Sequence, residues 1–362
     1  MKKVGIVTIY DTNNYGNRLQ NYAMQEVLSK MGVEVETLRN YANTNKEDNR
    51  IIHTLKRIKN GLQRVKKIGN KRAKCFQEFD RNIEFASKEL RWDNAGQFVK
   101  NYDYFVTGSD QVWNPYFDRL SKIDLLEFAP PEKRISIAAS FDVEKLEAKY
   151  EKECQKALNE FHAISVREQQ GKQIIQQMEG ISKEKEIEVV LDPTMMLTEK
   201  QWEKVMKKPK DMPQGKYILN YFLGELEEET KQYIEKIAKE NNCQIIQLLD
   251  LKEKLHNTGP SEFLYLLQHA FLICTDSFHS CVFSILFQKP FIIVERKSKK
   301  NMNSRIDTLL DTFSLQDRKL KTNDIQDMKS IDYQKVFEVL EKEKMKETEW
   351  IKKALNIKGS VK

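Results

Sequence analysis

Apolar residues occur along the chain in short runs that alternate with stretches of helical spacing. The run at 3–10 precedes a polar loop and then apolar positions at helical intervals from Leu19 to Met31, which predicts a strand, a loop and a helix. Further strands are predicted at 33–38, 104–107, 135–138, 163–166 and 189–191. Strands that alternate with helices in this way are typical of a parallel, doubly wound sheet.

A second series of strands and helices follows the lysine-rich segment 198–214. Its strands are predicted at 217–221, 244–248, 271–275 and 290–294, with a helix at 227–240. A chain of 362 residues exceeds the roughly 250–300 residues at which a single core usually stops growing. We therefore predict an α/β protein with one Rossmann-like domain at 1–197, a second at 215–325, and a C-terminal helix within 330–362.

Composition and charge exclude several classes of protein. The chain is 40% hydrophobic and 32% charged, as expected of a globular protein, and no apolar run is long enough to span a bilayer. The first apolar stretch is too short for a signal peptide, which predicts a cytoplasmic location. The formal net charge of +7 favours anionic partners, and no nucleic-acid-binding module is recognisable. The five scattered cysteines suggest neither a disulfide framework nor a zinc site.

One segment is strongly basic. Residues 50–74 contain ten lysines and arginines and no acidic residue, with apolar residues at helical spacing, which predicts a basic amphipathic helix. Such a helix can dock peripherally on the anionic inner face of a membrane. It can equally be a surface helix whose basic side faces water.

The strand predicted at 271–275 ends in polar residues and is followed by a helical pattern. Asp276 or Ser277 is a plausible N-cap, which would place His279 in the first turn of the helix. Unpaired backbone N–H groups and the positive end of the helix dipole favour phosphates and carboxylates there. A histidine there is well placed to meet a bound phosphate and to act as a general acid. The alternative is a histidine at a helix start without a chemical role.

Two other loops are rich in polar side chains directly after predicted strands. In the loop at 107–115, Gly108 permits a tight turn, and its neighbours can either cap a helix or bind sugar hydroxyls. The loop after the first strand contains many neutral hydrogen-bonding groups. The side chains that we predict to contact substrate are Asn14, Asn17 and Gln20 in the first loop, Ser109, Asp110 and Gln111 in the second, and Asp276 and Ser277 after the strand at 271–275.

Two arginines are candidate contacts for an anion. Arg167 ends the strand at 163–166, and its planar guanidinium suits a carboxylate or phosphate. Its alternative role is an ion pair with Glu168 or another neighbour. Arg305 is a weaker candidate, because its surroundings indicate only the start of a helix.

Five motifs in order along residues 1–312 carry a family resemblance. They are N-Y-G-N-R-L-Q-N-Y-A at 14–23, G-S-D-Q-V-W-N-P at 108–115, S-V-R-E-x-x-G at 165–171, D-P-T at 192–194, and T-D-S-F-H-S-C-V-F-S-I at 275–285 with P-F at 290–291. Together they resemble the polysaccharide pyruvyl transferase family.

The resemblance implies a fold, a donor and two catalytic residues. The fold is similar to that of two-domain GT-B glycosyltransferases, with the last helix returning to the N-terminal domain. The donor is phosphoenolpyruvate, whose pyruvyl group is placed as a ketal across two hydroxyls of a cell-surface polysaccharide or its lipid-linked precursor. His279 matches the family histidine that acts as acid, and Arg167 the arginine that holds the donor. No cofactor or metal is implied.

Two other functions remain open at this point. A GT-B-type glycosyltransferase that uses a nucleotide sugar would have the same fold. A regulator or scaffold of glycan assembly that retains the fold without catalysis is the third hypothesis.

Overall fold

The computed structural model describes residues 1–10, 13–40, 71–117, 119–295, 303–320 and 330–357. The chain folds into two compact units. Unit 1 consists of residues 1–196 and 343–362, and unit 2 of residues 197–342.

Unit 1 is built on a seven-stranded sheet in the order β3-β2-β1-β4-β5-β6-β7, in which all neighbouring strands are parallel. Central strands are buried along their whole length, as apolar parallel strands covered on both faces must be. The strands are β1 Lys2–Val7, β2 Val33–Arg39, β3 Phe85–Glu89, β4 Tyr104–Thr107, β5 Arg134–Ala139, β6 Ala163–Val166 and β7 Ile187–Val189.

The helices of unit 1 connect these strands. Helix α1 presents Leu19, Ala23 and Val27 to the core at helical spacing. On another layer of the unit, Trp113 is fully buried and its indole N–H donates to the backbone oxygen of Asp124. The helices are α1 Tyr15–Lys30, α2 Lys71–Phe79, α3 Ala148–Asn159, α4 Gln169–Gln177 and α5 Pro193–Met196.

Unit 2 has a four-stranded parallel sheet in the order β11-β10-β8-β9. Trp202 and Phe283 meet edge-on in its core, with 4.9 Å between ring centroids. The strands are β8 Tyr217–Tyr221, β9 Gln244–Gln247, β10 Leu272–Thr275 and β11 Phe291–Ile293. The helices are α6 Glu199–Glu203, α7 Glu228–Glu240, α8 Pro260–His269, α9 Phe278–Leu286 and α10 Ser304–Phe313.

The last helix, α11 Tyr333–Ala354, supplies residues to both units. From Glu343 onward it belongs to unit 1, where Lys2 Nζ donates to the backbone oxygens of Leu355 and Asn356 at 2.5 and 2.9 Å. A lysine at a helix C-terminus satisfies carbonyl groups that lack a partner within the helix. The predicted fold class, two Rossmann-like units with a C-terminal helix that returns to the first, is confirmed.

Several element bounds differ from the sequence-based prediction. Strand β3 was not predicted, because it is an edge strand with mostly exposed side chains and therefore a weak apolar signal. Strand β1 ends at Val7 rather than at residue 10, and Thr8 instead donates its hydroxyl to the backbone oxygen of Ser109 at 3.1 Å. Strand β7 ends at Val189 although Val190 and Leu191 are buried.

The basic segment predicted at 50–74 lies outside the described residues up to residue 70. Its last four residues begin helix α2. Among the described helices, none combines the length and the apolar character that crossing a bilayer requires.

Candidate active site

A connected set of polar side chains lies where strands β4, β6 and β7 of unit 1 end. Carboxyl ends of parallel strands share one edge of a sheet, so residues distant in sequence meet there. Arg167 donates from Nη2 to Asp110 Oδ1 at 2.8 Å and from Nη1 to Asp192 Oδ2 at 2.6 Å. Ser109 Oγ donates to the same Asp192 oxygen at 2.6 Å. Three predicted site residues, Ser109, Asp110 and Arg167, are thus brought together around Asp192.

The Arg167 guanidinium is fully enclosed. Its side chain is 0% exposed, as is that of Asp192, and that of Asp110 is 6% exposed. Burial alone would lower the pKa of Arg167, but the charges of Asp110 and Asp192 outweigh burial and raise the pKa. The arginine is therefore permanently charged. Of its two predicted roles, the structure shows the ion pairs, while a direct donor contact stays a prediction.

The first loop and helix α1 close this set into a ring. Asn17 Nδ2 donates to Asp110 Oδ2. Gln20 Nε2 donates to the backbone oxygen of Asn17 at 3.0 Å and to Thr8 Oγ1 at 2.9 Å. Thr8 Oγ1 in turn donates to the backbone oxygen of Ser109 at 3.1 Å. The ring fixes Asn17 at the site. Gln20, which is 0% exposed, holds the backbone oxygen of Asn17 in this position.

Two other predicted contacts lie at the margin of the ring. Asn14 is the N-cap of helix α1 and accepts a hydrogen bond from the backbone N–H of Gly16 at 2.9 Å. Gln111 donates from Nε2 to Asp142 Oδ2 at 2.9 Å. Both side chains are partly exposed. Asn14 therefore has a demonstrable capping role, and contact with a ligand remains a prediction for both.

The backbone of Asp110 is in the left-handed region, with φ of 74°. A residue other than glycine pays of order 1–3 kcal/mol for such a conformation, and it persists only where surrounding contacts determine it. Here the backbone oxygen of Asp110 accepts from Ser140 N and Val112 N at 3.0 and 2.8 Å. The strained backbone and the ion pair with Arg167 together set the direction of the Asp110 carboxylate.

In unit 2, strand β10 leads directly into helix α9. Ser277 occupies the N-cap position, although its side chain makes no capping hydrogen bond, and His279 lies in the first turn as predicted. The turn between strand and helix is held by Thr275, whose Oγ1 accepts from Ser277 N at 3.0 Å and donates to the backbone oxygen of Tyr221 at 2.7 Å. His279 is 7% exposed, and its ring lies edge-on to that of Phe278 with 5.2 Å between centroids.

Arg305 lies close to the same helix start. It is in the first turn of α10, and its Cζ lies 5.5 Å from the centroid of the Phe278 ring. A guanidinium at this distance over an aromatic face is attracted by the ring. The structure therefore brings Arg305 to the residue next to His279, which helical spacing alone could not reveal.

Asp276, which was predicted to contact substrate, binds two backbone N–H groups of unit 2. Its Oδ1 accepts from the backbone N–H of Leu223 at 2.7 Å, and its Oδ2 accepts from that of Gly224 at 2.8 Å. Charge-assisted bonds of this kind are stronger than neutral ones. Asp276 thus ties the loop after strand β8 to the start of helix α9, and contact with substrate remains a prediction.

The two clusters differ in charge. In unit 1, the guanidinium of Arg167 lies between the carboxylates of Asp110 and Asp192, and the charge of Glu168 also acts on it. In unit 2, the carboxylate of Asp276 is neutralised in part by two backbone N–H groups, while His279 and Arg305 lie at the positive end of a helix. The first arrangement suits hydroxyl donors, and the second suits an anion.

Sequence reasoning missed two residues of the unit 1 cluster. The sequence indicated Asp192 only as part of the D-P-T motif. It caps α5, since Oδ1 accepts from Thr194 N at 3.1 Å. Its position after a strand, like that of Asp110, was the available signal. Glu347, buried in helix α11, accepts from Leu191 N at 3.0 Å. It lies in a run of charged residues, so no pattern distinguished it.

Two cysteine thiols of unit 2 lie in its interior. Burial raises the pKa of Cys274 and of Cys281, both of which are fully buried thiols. No group of three or more histidine, cysteine, aspartate or glutamate side chains in the described part of the chain could hold a metal ion.

The fold and site together define a two-domain α/β protein of GT-B type, with polar clusters at the carboxyl ends of its strands. The family model for polysaccharide pyruvyl transferase matches residues 14–298. The chain therefore belongs to the polysaccharide pyruvyl transferase family and is a transferase. Among curated proteins, none matches the sequence.

Solved structures support the fold. A putative UDP-N-acetylglucosamine 2-epimerase from Listeria monocytogenes is similar with a TM-score of 0.51 and 9% identity, over 98% of this chain and 91% of that chain. Another UDP-N-acetylglucosamine 2-epimerase has a TM-score of 0.50 and 10% identity, over 98% and 90% of the two chains. At such low identity the likeness concerns the fold alone.

Proposed function

We propose that this protein transfers the pyruvyl group of phosphoenolpyruvate to two hydroxyls of a sugar, as a cyclic ketal. The sugar belongs to a cell-surface polysaccharide or to its lipid-linked precursor. The observation that carries the proposal is His279 in the first turn of α9, with Arg305 over the ring of the adjacent Phe278, in a chain of this family. No further cofactor or metal takes part.

The donor binds to unit 2 in this proposal. Phosphoenolpyruvate carries a phosphate and a carboxylate, and the N–H groups at the start of α9 and the guanidinium of Arg305 suit such anions. His279 gives its proton to the methylene carbon of the enol, which leaves positive charge on the carbon that bears the phosphate. A positioned general acid typically contributes about 10² to 10⁴ in rate.

The acceptor binds to unit 1. A sugar is neutral and rich in hydroxyls, which suits the hydrogen-bond acceptors around Asp110, with Asn17 and Gln111 as further hydrogen-bonding groups. One hydroxyl attacks the activated carbon and loses its proton, phosphate leaves, and the second hydroxyl attacks and loses its proton. One of the two released protons replaces the one taken from His279, and the other leaves with phosphate.

The role of Arg167 follows from its enclosure. Its terminal nitrogens donate to Asp110 and Asp192, and the side chain is 0% exposed. A donor contact would require these ion pairs to open. We therefore propose that Arg167 orients the acceptor cluster, and that the direct donor contact implied by the family resemblance is its alternative role.

The setting of the reaction is part of the proposal. The expected location is the cytoplasm, where phosphoenolpyruvate is available, with peripheral contact at the inner membrane face if the acceptor is linked to lipid. The basic segment that suggested this contact lies largely outside the described residues.

Thermal unfolding with candidate donors tests the proposal. Phosphoenolpyruvate should raise the melting temperature of the wild type, because a ligand that binds only the folded state stabilises it. His279→Gln should abolish transfer, measured as phosphate release and as gain of a pyruvyl ketal by the glycan. His269→Gln is the matched control, since His269 is exposed on helix α8.

Other outcomes would decide against the proposal. Stabilisation by uridine or guanosine diphosphate, but not by phosphoenolpyruvate, would favour a glycosyltransferase that uses a nucleotide sugar. Unchanged cellular glycans in a His279→Gln strain would favour a regulator or scaffold without catalysis.

A further inference from the structure

Glu347 is a buried carboxyl group in the part of helix α11 that belongs to unit 1. The residue is 2% exposed. Its Oε2 accepts from the backbone N–H of Leu191 at 3.0 Å, and its Oε1 has no hydrogen-bond partner among the described residues. Burying a carboxyl group with an unsatisfied oxygen is unfavourable. Buried titratable groups of this kind are concentrated at functional sites.

The contact made by Glu347 leads directly into the unit 1 cluster. Leu191, whose N–H it binds, is followed by Asp192, which accepts from Arg167 at 2.6 Å and from Ser109 at 2.6 Å. Arg167 then holds Asp110 at 2.8 Å. One hydrogen bond from the helix therefore holds the residue next to a shared carboxylate of the ring.

Helix α11 also forms ion pairs with strand β7 and with the residue that precedes this strand. Lys346 Nζ lies 3.3 Å from Glu188 Oε2 in β7, and Lys353 Nζ lies 3.6 Å from Glu186 Oε2 just before it. Exposed pairs like these contribute little energy. Of these three contacts, the buried bond of Glu347 is therefore the one through which helix α11 can position the turn after β7.

We propose that Glu347 is a positioning residue for the unit 1 site, which holds the turn at Leu191 and Asp192 and through it the orientation of Arg167 and Asp110. The structural part of this inference stands on the contacts alone. Its effect on transfer rests on the proposed function.

The charge of Glu347 is consistent with this role. Burial raises the pKa of Glu347 well above its usual value, and the neighbouring charge of Asp192 raises it further. On its own helix, Glu343 acts in the same direction, whereas Lys346 and the N–H of Leu191 lower the pKa. A protonated Glu347 accepts from Leu191 without repelling Asp192, and glutamine can replace it with the same geometry.

Two substitutions distinguish the effect of the hydrogen-bond acceptor from the effect of the side-chain volume. Glu347→Gln keeps an acceptor for Leu191 N–H, and Glu347→Met keeps the length of the side chain without one. Glu349→Gln is the control, because Glu349 is exposed on the same helix and pairs with Lys352. Glu347→Leu replaces the methionine variant if that variant does not fold.

The first readout does not depend on activity. The guanidinium NMR signals of Arg167, assigned by their loss in Arg167→Lys, should shift in Glu347→Met and stay in place in Glu347→Gln and Glu349→Gln. Unchanged signals in the methionine variant would overturn the inference, and so would equal shifts in the glutamine and methionine variants.

The second readout is transfer from phosphoenolpyruvate. A misplacement of about 1 Å at a distance from the chemistry can cost about a hundredfold in rate, so Glu347→Met should lower kcat by about tenfold to a hundredfold. The KM for phosphoenolpyruvate should stay within about twofold, since the donor is assigned to unit 2, and Glu347→Gln should restore kcat. A rise in this KM with unchanged kcat would contradict the positioning role. If the wild type shows no transfer, the proposed function fails, whereas the NMR result still decides on Glu347.

Discussion

Replacing Arg167 by methionine should destabilise unit 1 more than any exposed substitution can. The change keeps most of the side-chain length but removes the charge that lies between Asp110 and Asp192, all three being almost fully enclosed. Removing one partner of a buried ion pair typically costs about 3–5 kcal/mol, because the other charge stays buried and unpaired. A whole domain is usually stable by only about 5–15 kcal/mol.

Hydrogen exchange measured by mass spectrometry can locate this loss. A cost of about 3–5 kcal/mol corresponds to roughly two to four powers of ten in protection. The decrease should appear in strands β4 and β6, while strands β8 and β10 of unit 2 serve as an internal reference. Unit-specific exchange is preferable to one melting temperature, because a chain with two units need not unfold in one step.

A second substitution tests the cause of the loss. Arg167→Met leaves the carboxylates of Asp110 and Asp192 without their cation, and adding Asp192→Asn removes one of these two charges. The double variant should therefore be more stable than the sum of the stability losses of the two single variants predicts. A loss below about 1 kcal/mol in Arg167→Met, the range of exposed ion pairs, would refute the reasoning. Strictly additive effects would also refute it.

Buried groups elsewhere make further outcomes predictable. Burial raises the pKa of Glu347 above the ordinary 4.5. The wild type should therefore lose stability relative to Glu347→Gln as the pH rises through the folded-state pKa of Glu347, and the difference in stability between the two proteins should vanish below about pH 4.5. Urea midpoints between about pH 5 and pH 9 measure this difference. Asp276→Ala removes two hydrogen bonds to a charged acceptor, at about 1.5–3 kcal/mol each, and should speed amide exchange at Leu223; normal exchange there would contradict the observed tie. Cys274 and Cys281 should resist alkylation in the native protein, because burial raises the pKa of both thiols; rapid modification, read by peptide mass, would show that unit 2 opens.

Local pattern was sufficient for the central strands and for the start of α9. Strands β4 and β6 have the predicted bounds, since each is a short apolar run ended by polar residues. His279 lies in the first turn of its helix for the same local reason. Edge strand β3 was missed, because exposed edge positions carry little apolar signal.

The candidate site was only partly predictable. Ser109, Asp110 and Arg167 were recognised as polar residues at strand ends, but Asp192, the common partner of Ser109 and Arg167, was indicated only as part of the D-P-T motif. Asp192 can cap a helix and also join this cluster, because one oxygen caps the helix and the other receives Arg167 and Ser109. A linear pattern cannot distinguish a carboxylate with one task from a carboxylate with two.

The sequence by itself determined the alternation of strands and helices, the order of the motifs and hence the family, because these depend on residues close together along the chain. Tertiary structure alone decided which side chains meet. Glu347 acts on a turn 156 positions away, and Arg305 reaches the ring of Phe278 from another helix. Parallel strands also gather strand-end residues such as Asp110 and Asp192 at one edge of a sheet, so the charge and partners of each group follow from packing rather than from neighbours in sequence.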